Sequence, residues 1–177
     1  MRLGETDYAE AYSLKNKAFR QLFQIAWQLF GLVFPGRIFH KGKLCIINAF
    51  GGRCHPESVV YATAKIFDPS NLVLKKHATI GPHAIIYNVD VITIDEGSIV
   101  SQYAHINTAS HDYKDKSFPL VHKPVSIGKN CWIAADAFIG MGVHIPDDTV
   151  VGARSSVFKP IKQPGVYVGN PAKKLPR

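Results

Sequence analysis

The run IGKNCW-IAADAF-IGMGVH-IPDDTV-VGARSS-VFK, residues 127–159, repeats one pattern every six residues. Ile127, Ile133, Ile139, Ile145, Val151 and Val157 are all branched aliphatics. Gly128, Ala134, Gly140, Pro146, Gly152 and Phe158 follow them, mostly small or turn-forming. Three positions further on stand the compact Cys131, Ala137, Val143, Thr149 and Ser155. A six-residue apolar period matches neither the 3.6 residues of a helical turn nor the simple alternation of a half-buried strand. It predicts an all-β solenoid, a parallel β-helix in which each hexad is one flat face and three hexads close a coil. The aliphatic side chain points to the coil axis, the compact residue fills the corner, and the glycine or proline turns the chain.

Working outward, the same spacing links Val60 with Ile66, then Leu74, Ile80 and Ile86, then Ile94, Val100 and Ile106. Two gaps of eight, after Ile66 and after Ile86, read as small corner insertions, the first filled by the turn-forming Asp68-Pro69-Ser70-Asn71. Ile127 stands 21 positions after Ile106, three more than a full coil, and the polar Ser110 to Lys116 has no hexad rhythm. A loop extruded near residues 110–124 is expected there, and such loops carry function more often than scaffold does. Val166 to Pro171 closes the domain with one more short extended piece.

The division expected is an N-terminal helical, capping region over 1–52 and the solenoid with its tail over 53–177. Residues 1 to about 12 are polar and read as loose. From Ser13, a good N-cap, to Phe34, apolar residues crowd together with Lys15, Lys17, Arg20 and Gln24 among them, and Pro35-Gly36 ends the segment. This predicts one amphipathic helix. The charge of Arg20 and the glutamines at 21, 24 and 28 argue against a bilayer span. The helix has two uses: covering the open end of the solenoid, or lying on a membrane surface with Trp27 and several Phe buried in the interface. Capping is the commoner.

The chain of 177 residues, 46% hydrophobic and 19% charged, suffices for one domain with a core. Its formal charge of +8 fits a phosphorylated cofactor, nucleic acid or an acidic membrane, and equally fits solubility alone. Nucleic acid has nothing but the charge in its favour, since no aromatic–basic module or helix–turn–helix pattern appears. Cys45, Cys54 and Cys131 are too few and scattered for a disulfide framework or zinc cluster, which favours a reducing cytoplasm. Met1 is followed by Arg2, Glu5 and Asp7 rather than by a basic then apolar leader, so no signal peptide is expected.

The run from Ile127 to Lys159, followed by Gly169-Asn170-Pro171-Ala172, resembles the hexapeptide-repeat acyltransferases, whose fold is a left-handed parallel β-helix. Asn107-Thr108-Ala109-Ser110-His111-Asp112 resembles the place where the maltose, galactoside and nodulation-factor O-acetyltransferases carry their catalytic histidine. The aromatic N-terminal helix followed by Asn48-Ala49-Phe50-Gly51 looks most like the branch tied to colanic acid or exopolysaccharide acetylation. The left hand comes from the resemblance alone, because parallel crossovers are in general right-handed.

The resemblance implies a cytoplasmic, acetyl-CoA-dependent O-acetyltransferase acting on a sugar hydroxyl, a homotrimer with its sites between subunits. The acceptor would be a polysaccharide precursor, with residues 13–34 in peripheral contact with the inner membrane. His111 is the expected general base, since an imidazole accepts a proton near neutral pH. Adjacent side chains in extended chain diverge, so Asp112 is expected on the surface facing substrate rather than orienting His111. Asn88 resembles the asparagine that holds the acceptor, although a turn asparagine reads equally well. Trp132 would flank the site. Ala135 would supply backbone contacts near the thioester and a donor for the oxyanion. Ala153, Phe158 and Lys159 match the stretch that lines the pantetheine and adenine, with Phe158 in place of the usual threonine. Lys159, Lys173, Lys174 and Arg177 would pair with the cofactor phosphates. The family's aspartate from the N-terminal helices has no counterpart.

Rival readings keep the fold and change the chemistry. A zinc carbonic anhydrase would need three converging ligands from His105, His111, His122 and His144, and the family's spacing of two histidines five apart is absent. No metal is expected. N-acetylation of an amino sugar is the nearer alternative, and a non-enzymatic scaffold has little need of the loop at His111.

Overall fold

A computed structural model describes residues 13–34 and 39–176. The loose start expected over 1–12, the Pro35-Gly36 stop and Arg177 lie outside the described residues. Two helices come first, α1 (Leu14–Val33) and α2 (His40–Ala49), and short strands follow from β1 (Arg53–Cys54) to β19 (Lys173–Lys174). The strands wind into a left-handed parallel β-helix of about six turns.

Three flat sheets make the faces. Face A stacks β1, β4 (Leu72–Leu74), β7 (Ile92–Ile94), β12 (Val125–Ile127) and β15 (His144–Ile145). Face B contains β8 (Ile99–Val100), β13 (Trp132–Ile133), β16 (Val150–Val151) and β18 (Val166–Val168) among its strands. Face C stacks β3 (Lys65–Ile66), β6 (Ile85–Tyr87), β9 (His105–Asn107), β14 (Phe138–Ile139) and β17 (Ser156–Val157). Stacking is in register, with Ile94 on Ile127 on Ile145, Val100 on Ile133 on Val151, and Ile106 on Ile139 on Val157. These aliphatics are buried, and Cys54 begins their column one hexad before Val60. The small corner residues Cys131, Ala137, Val143, Thr149 and Ser155 are buried beside them.

One expectation about the hexad needs correcting. The glycines after the aliphatics do not turn the chain. The left-handed residues that turn each corner stand two positions later, at Asn130, Asp136, Gly142, Asp148 and Arg154, with φ between 52° and 72°. Gly128 is required for space instead, because a Cβ there would lie 2.7 Å from the backbone nitrogen of Asp147 in the next coil. The stacking distance of the coils, rather than backbone freedom, selects glycine at that position.

The first coil has an open edge. Along the faces, alternate backbone N–H groups of a coil donate to carbonyls of the coil after it, as Val59 does to Ala78 and Tyr61 to Ile80. First-coil carbonyls that point away from the second coil therefore have no preceding coil to serve them, and an unpaired sheet edge is costly. The helices supply the donors. Gln24 Nε2 donates to the Ile66 carbonyl (2.6 Å), Trp27 Nε1 to Ala64 (3.0 Å), and Asn48 Nδ2 to Cys54 (3.0 Å). Ser13 caps α1, its side chain accepting from Asn16 N–H at 3.2 Å. The helical run did not reveal α2, which buries Leu44 and Ile47 and packs Gly42 against the Phe30 ring of α1. At the far end β19 pairs antiparallel with β18 and covers the last edge of face B.

Candidate active site

The coil breaks where the six-residue rhythm fails, at the corner between faces C and A. There the expected loop is an antiparallel hairpin, β10 (Ala109–His111) with β11 (Leu120–His122), paired Ala109 to His122 and His111 to Leu120. Its tip is built by short polar turns. The Asp112 carboxylate accepts from Lys114 N–H (3.0 Å), and Asp115 accepts from the N–H and hydroxyl of Ser117. The two Ser117 bonds hold the Asp115 carboxyl below its ordinary value.

His111 is exposed on this hairpin, and its Nδ1 lies 2.5 Å from the Phe118 carbonyl oxygen. A carbonyl only accepts, so Nδ1 carries the proton and the lone pair sits on Nε2. That is the tautomer a general base needs. The Asp112 carboxylate, next in the chain, is engaged with the Lys114 N–H of the hairpin tip.

Asn88 sits at the same C–A corner one coil earlier, yet its side chain is fully buried. Its Oδ1 accepts from Asp68 N–H (3.0 Å), and its Nδ2 donates to the Asp68 carbonyl. Both ends of the amide tie the two corner insertions together, so Asn88 presents nothing to a ligand from this position. Of the two readings of Asn88, the turn residue is the one its contacts match. Asp90, two residues on, points outward instead. Its Oδ2 lies 2.9 Å from His122 Nδ1, and its Oδ1 accepts from Val91 N–H (2.7 Å). Partial burial works against the charged carboxyl, but those hydrogen bonds and the imidazole's charge outweigh it and hold Asp90 below its usual value.

The remaining expected residues are spread around the coil. Ala135 and Ala153 stack at the B–C corner, where Arg154 N–H donates to the Ala135 carbonyl at 2.9 Å. Phe158 and Lys159 lie at the C–A corner of a late coil and line a groove of about 410 Å³ with Lys162, Tyr167 and Pro171. Lys174 borders a second depression of about 640 Å³ with Gln163 and Leu175, and Lys173 precedes it in β19. Trp132 stands half exposed on face B, its Nε1 donating to the Ser101 hydroxyl at 2.9 Å. Within one chain, His111 therefore shares an edge with Phe158 and Lys159, whereas Ala135 and Ala153 lie across face C and Trp132 lies on face B.

The four histidines of the zinc reading do not converge. His105 is on face C, its ring edge-on to Phe138 at 5.3 Å, and burial holds its pKa below the usual value. His144 is on face A, bonded to the Ser126 hydroxyl at 2.8 Å. Among the described residues no three His, Cys, Asp or Glu side chains are grouped as metal ligands.

No family model matches the chain. The colanic acid biosynthesis acetyltransferase WcaF of Escherichia coli is 35% identical over 151 residues, 84% of this chain and 83% of that protein. The chain belongs to the hexapeptide-repeat acetyltransferases. The galactoside O-acetyltransferase of Escherichia coli is 29% identical over 85 residues, covering 46% of this chain and 42% of that one. A maltose O-acetyltransferase from Clostridium difficile superposes with a TM-score of 0.81 at 23% identity, covering 92% of this chain and 88% of that one. A Vibrio cholerae hexapeptide-repeat acetyltransferase solved with acetyl-CoA gives 0.78 at 22% identity, covering 94% and 90%. At such identities the structural likeness speaks for the fold.

For this acetyltransferase the motif pointed to the hairpin but not to the pairing of Asp90 with His122. Those residues are 32 apart, and the two signals available were the corner insertion holding Asp90 and a histidine five positions before the hexads resume at Ile127.

Proposed function

We propose that this acetyltransferase moves an acetyl group from acetyl-CoA to a sugar hydroxyl by direct transfer, with His111 as the base. The observation that carries the reading is the His111 Nδ1 contact with the Phe118 carbonyl, which places the basic lone pair on Nε2. His111 takes the hydroxyl proton as the oxygen attacks the thioester carbonyl, then returns it to the departing thiolate. Ala135 N–H is the donor for the negative charge that develops on the carbonyl oxygen. The groove at Phe158 and Lys159, with Lys162 beside it, suits an elongated phosphorylated cosubstrate. Because Ala135 and His111 lie at opposite edges of face C in one chain, the site is completed by packing the hairpin of one subunit near face C of a neighbour, in a homotrimer.

Calorimetric titration with CoA and acetyl-CoA in the presence of a metal chelator tests this without knowledge of the acceptor. Saturable binding at one site per chain is expected. No binding would overturn the reading and direct attention to zinc content and CO₂ hydration.

The reading extends to an acceptor in cell-surface polysaccharide synthesis, at the cytoplasmic face of a membrane, and the surface of α1 supports it. No helix among the described residues is long and apolar enough to cross a membrane. One face of α1 closes the solenoid, but Leu22, Ile25, Leu29 and Leu32 on another are each more than half exposed. Lys15, Leu22 and Leu29 stand seven apart, so a cation begins the same line. An apolar stripe with a basic end fits an anionic bilayer surface. The full chain is expected to float with phosphatidylglycerol vesicles, and an Ile25→Glu/Leu29→Glu variant to stay in the soluble fraction. Equal recovery of both proteins in the soluble fraction would remove the membrane assignment.

A further inference from the structure

Two imidazoles, not one, stand on the working face of the hairpin. Directly paired residues of an antiparallel ribbon point to the same side, as do residues two apart in one strand. Ala109 pairs with His122 and His111 with Leu120, so His111 and His122 are diagonal neighbours on one face. Such neighbours have Cα atoms roughly 7–8 Å apart, within reach of a common small ligand.

His122 is held far more firmly than a surface histidine requires. Its Nδ1 meets the Asp90 carboxylate at 2.9 Å while about half of the side chain remains exposed. Asp90 in turn is pinned at both ends of its residue. Its N–H donates to the Thr108 hydroxyl (2.9 Å), its Oδ1 accepts from Val91 N–H, and the Thr108 hydroxyl donates to the Tyr87 carbonyl (3.1 Å). Thr108 is also the root of the hairpin, its carbonyl accepting from Lys123 N–H at 2.9 Å. The corner insertion, the carboxylate and the ribbon base thus form one connected frame that aims the second ring. A carboxylate accepts, so Nδ1 of His122 carries a proton, as Nδ1 of His111 does. Both rings are anchored through the same nitrogen, Nδ1.

We infer that His122, positioned by Asp90, is a specificity-determining residue of the acceptor site: its Nε2 hydrogen-bonds a second hydroxyl of the sugar whose first hydroxyl reacts at His111. This rests on the assignment of a sugar acceptor and of His111 as base. A ligand with one hydroxyl would satisfy His111 alone, whereas a pyranose has neighbouring hydroxyls to engage both rings.

The test uses the purified full chain, acetyl-CoA, and methyl β-D-galactopyranoside, methyl α-D-glucopyranoside and their monodeoxy derivatives as acceptors, with CoA binding followed by calorimetry. His122→Ala is expected to lower kcat/KM for the better glycoside by about 10-fold or more, mainly through KM, the worth of one good hydrogen bond to substrate. CoA affinity should stay at the wild-type value. Removing one particular hydroxyl from the glycoside should cost the wild type that same factor and cost His122→Ala almost nothing. His122→Gln, which keeps a side-chain donor and acceptor, should recover part of the loss, and Asp90→Asn should follow His122→Ala in the same deoxy-sugar pattern. Wild-type kcat/KM in His122→Ala, with every deoxy penalty intact, would overturn the inference. So would a wild type that binds CoA but acetylates none of the glycosides. Failure to bind CoA at all would remove the acetyl-transfer reading along with it, so the two failures are told apart by the titration.

Discussion

His111→Ala is expected to reduce acetyl transfer by roughly 100-fold or more, the usual worth of a positioned general base, while CoA binds with wild-type affinity. The attacking hydroxyl is a poor nucleophile while it keeps its proton, and His111 is the ring whose Nδ1 is already committed to the Phe118 carbonyl at 2.5 Å. Alanine removes the proton acceptor and leaves the hairpin, whose pairing runs through backbone groups of Ala109 to His111 and Leu120 to His122. The loss should therefore appear in kcat rather than in cosubstrate affinity. His111→Asn makes a second arm: it retains an amide that can donate to Phe118 but has no basic nitrogen, so it should be about as slow. Steady-state rates of thiol release with a glycoside acceptor, beside calorimetric CoA affinities, give both quantities. Undiminished turnover in either variant would mean that another group is the base.

Trp27→Ala should destabilise the fold by roughly 3–5 kcal/mol, the range for truncating a large buried aromatic. Trp27 is buried against the first coil and stacks on Phe23 with centroids 5.9 Å apart. Its Nε1–H serves the Ala64 carbonyl on the open edge at 3.0 Å. The substitution removes the packing and also strands a carbonyl that has no preceding coil to pair with. Trp27→Phe separates these effects, since it keeps most of the ring and loses only the donor; a loss of about 1 kcal/mol is expected for it. Urea unfolding followed by circular dichroism measures both. A loss below about 1 kcal/mol for Trp27→Ala would mean that α1 merely rests beside the solenoid and does not close it.

The exposed stripe of α1 and its capping face explain why the helical run alone left two uses open. Twelve apolar residues crowded into one helix can face the core and a surface at once, and sequence order does not say which carbonyls the polar residues between them will meet. Gln24 and Trp27 look like ordinary helix residues until the first coil is seen to present Ile66 and Ala64 carbonyls beneath them. Helix α2 has no clear signature in the sequence, because Lys41, Gly42 and Lys43 interrupt its apolar pattern. Lys43 is nevertheless buried, and burial lowers its pKa below the ordinary lysine value.

The hexads determined the coil, its interior column and the point at which it breaks. That information is local: each aliphatic needs only to recur every sixth residue for its neighbours above and below to be of its own kind, so Ile127, Ile133 and Ile139 announce the geometry unaided. The histidine motif similarly marked the hairpin. What the chain order does not contain is which polar atoms meet across coils. The inward amide of Asn88, the Phe118 carbonyl behind His111 and the Asp90 carboxylate behind His122 each depend on how corners stack and on how a ribbon folds back on itself. Hydrogen bonds are short and directional, so a shift of one residue or a few ångströms changes the partner, and only the packed solenoid settles it.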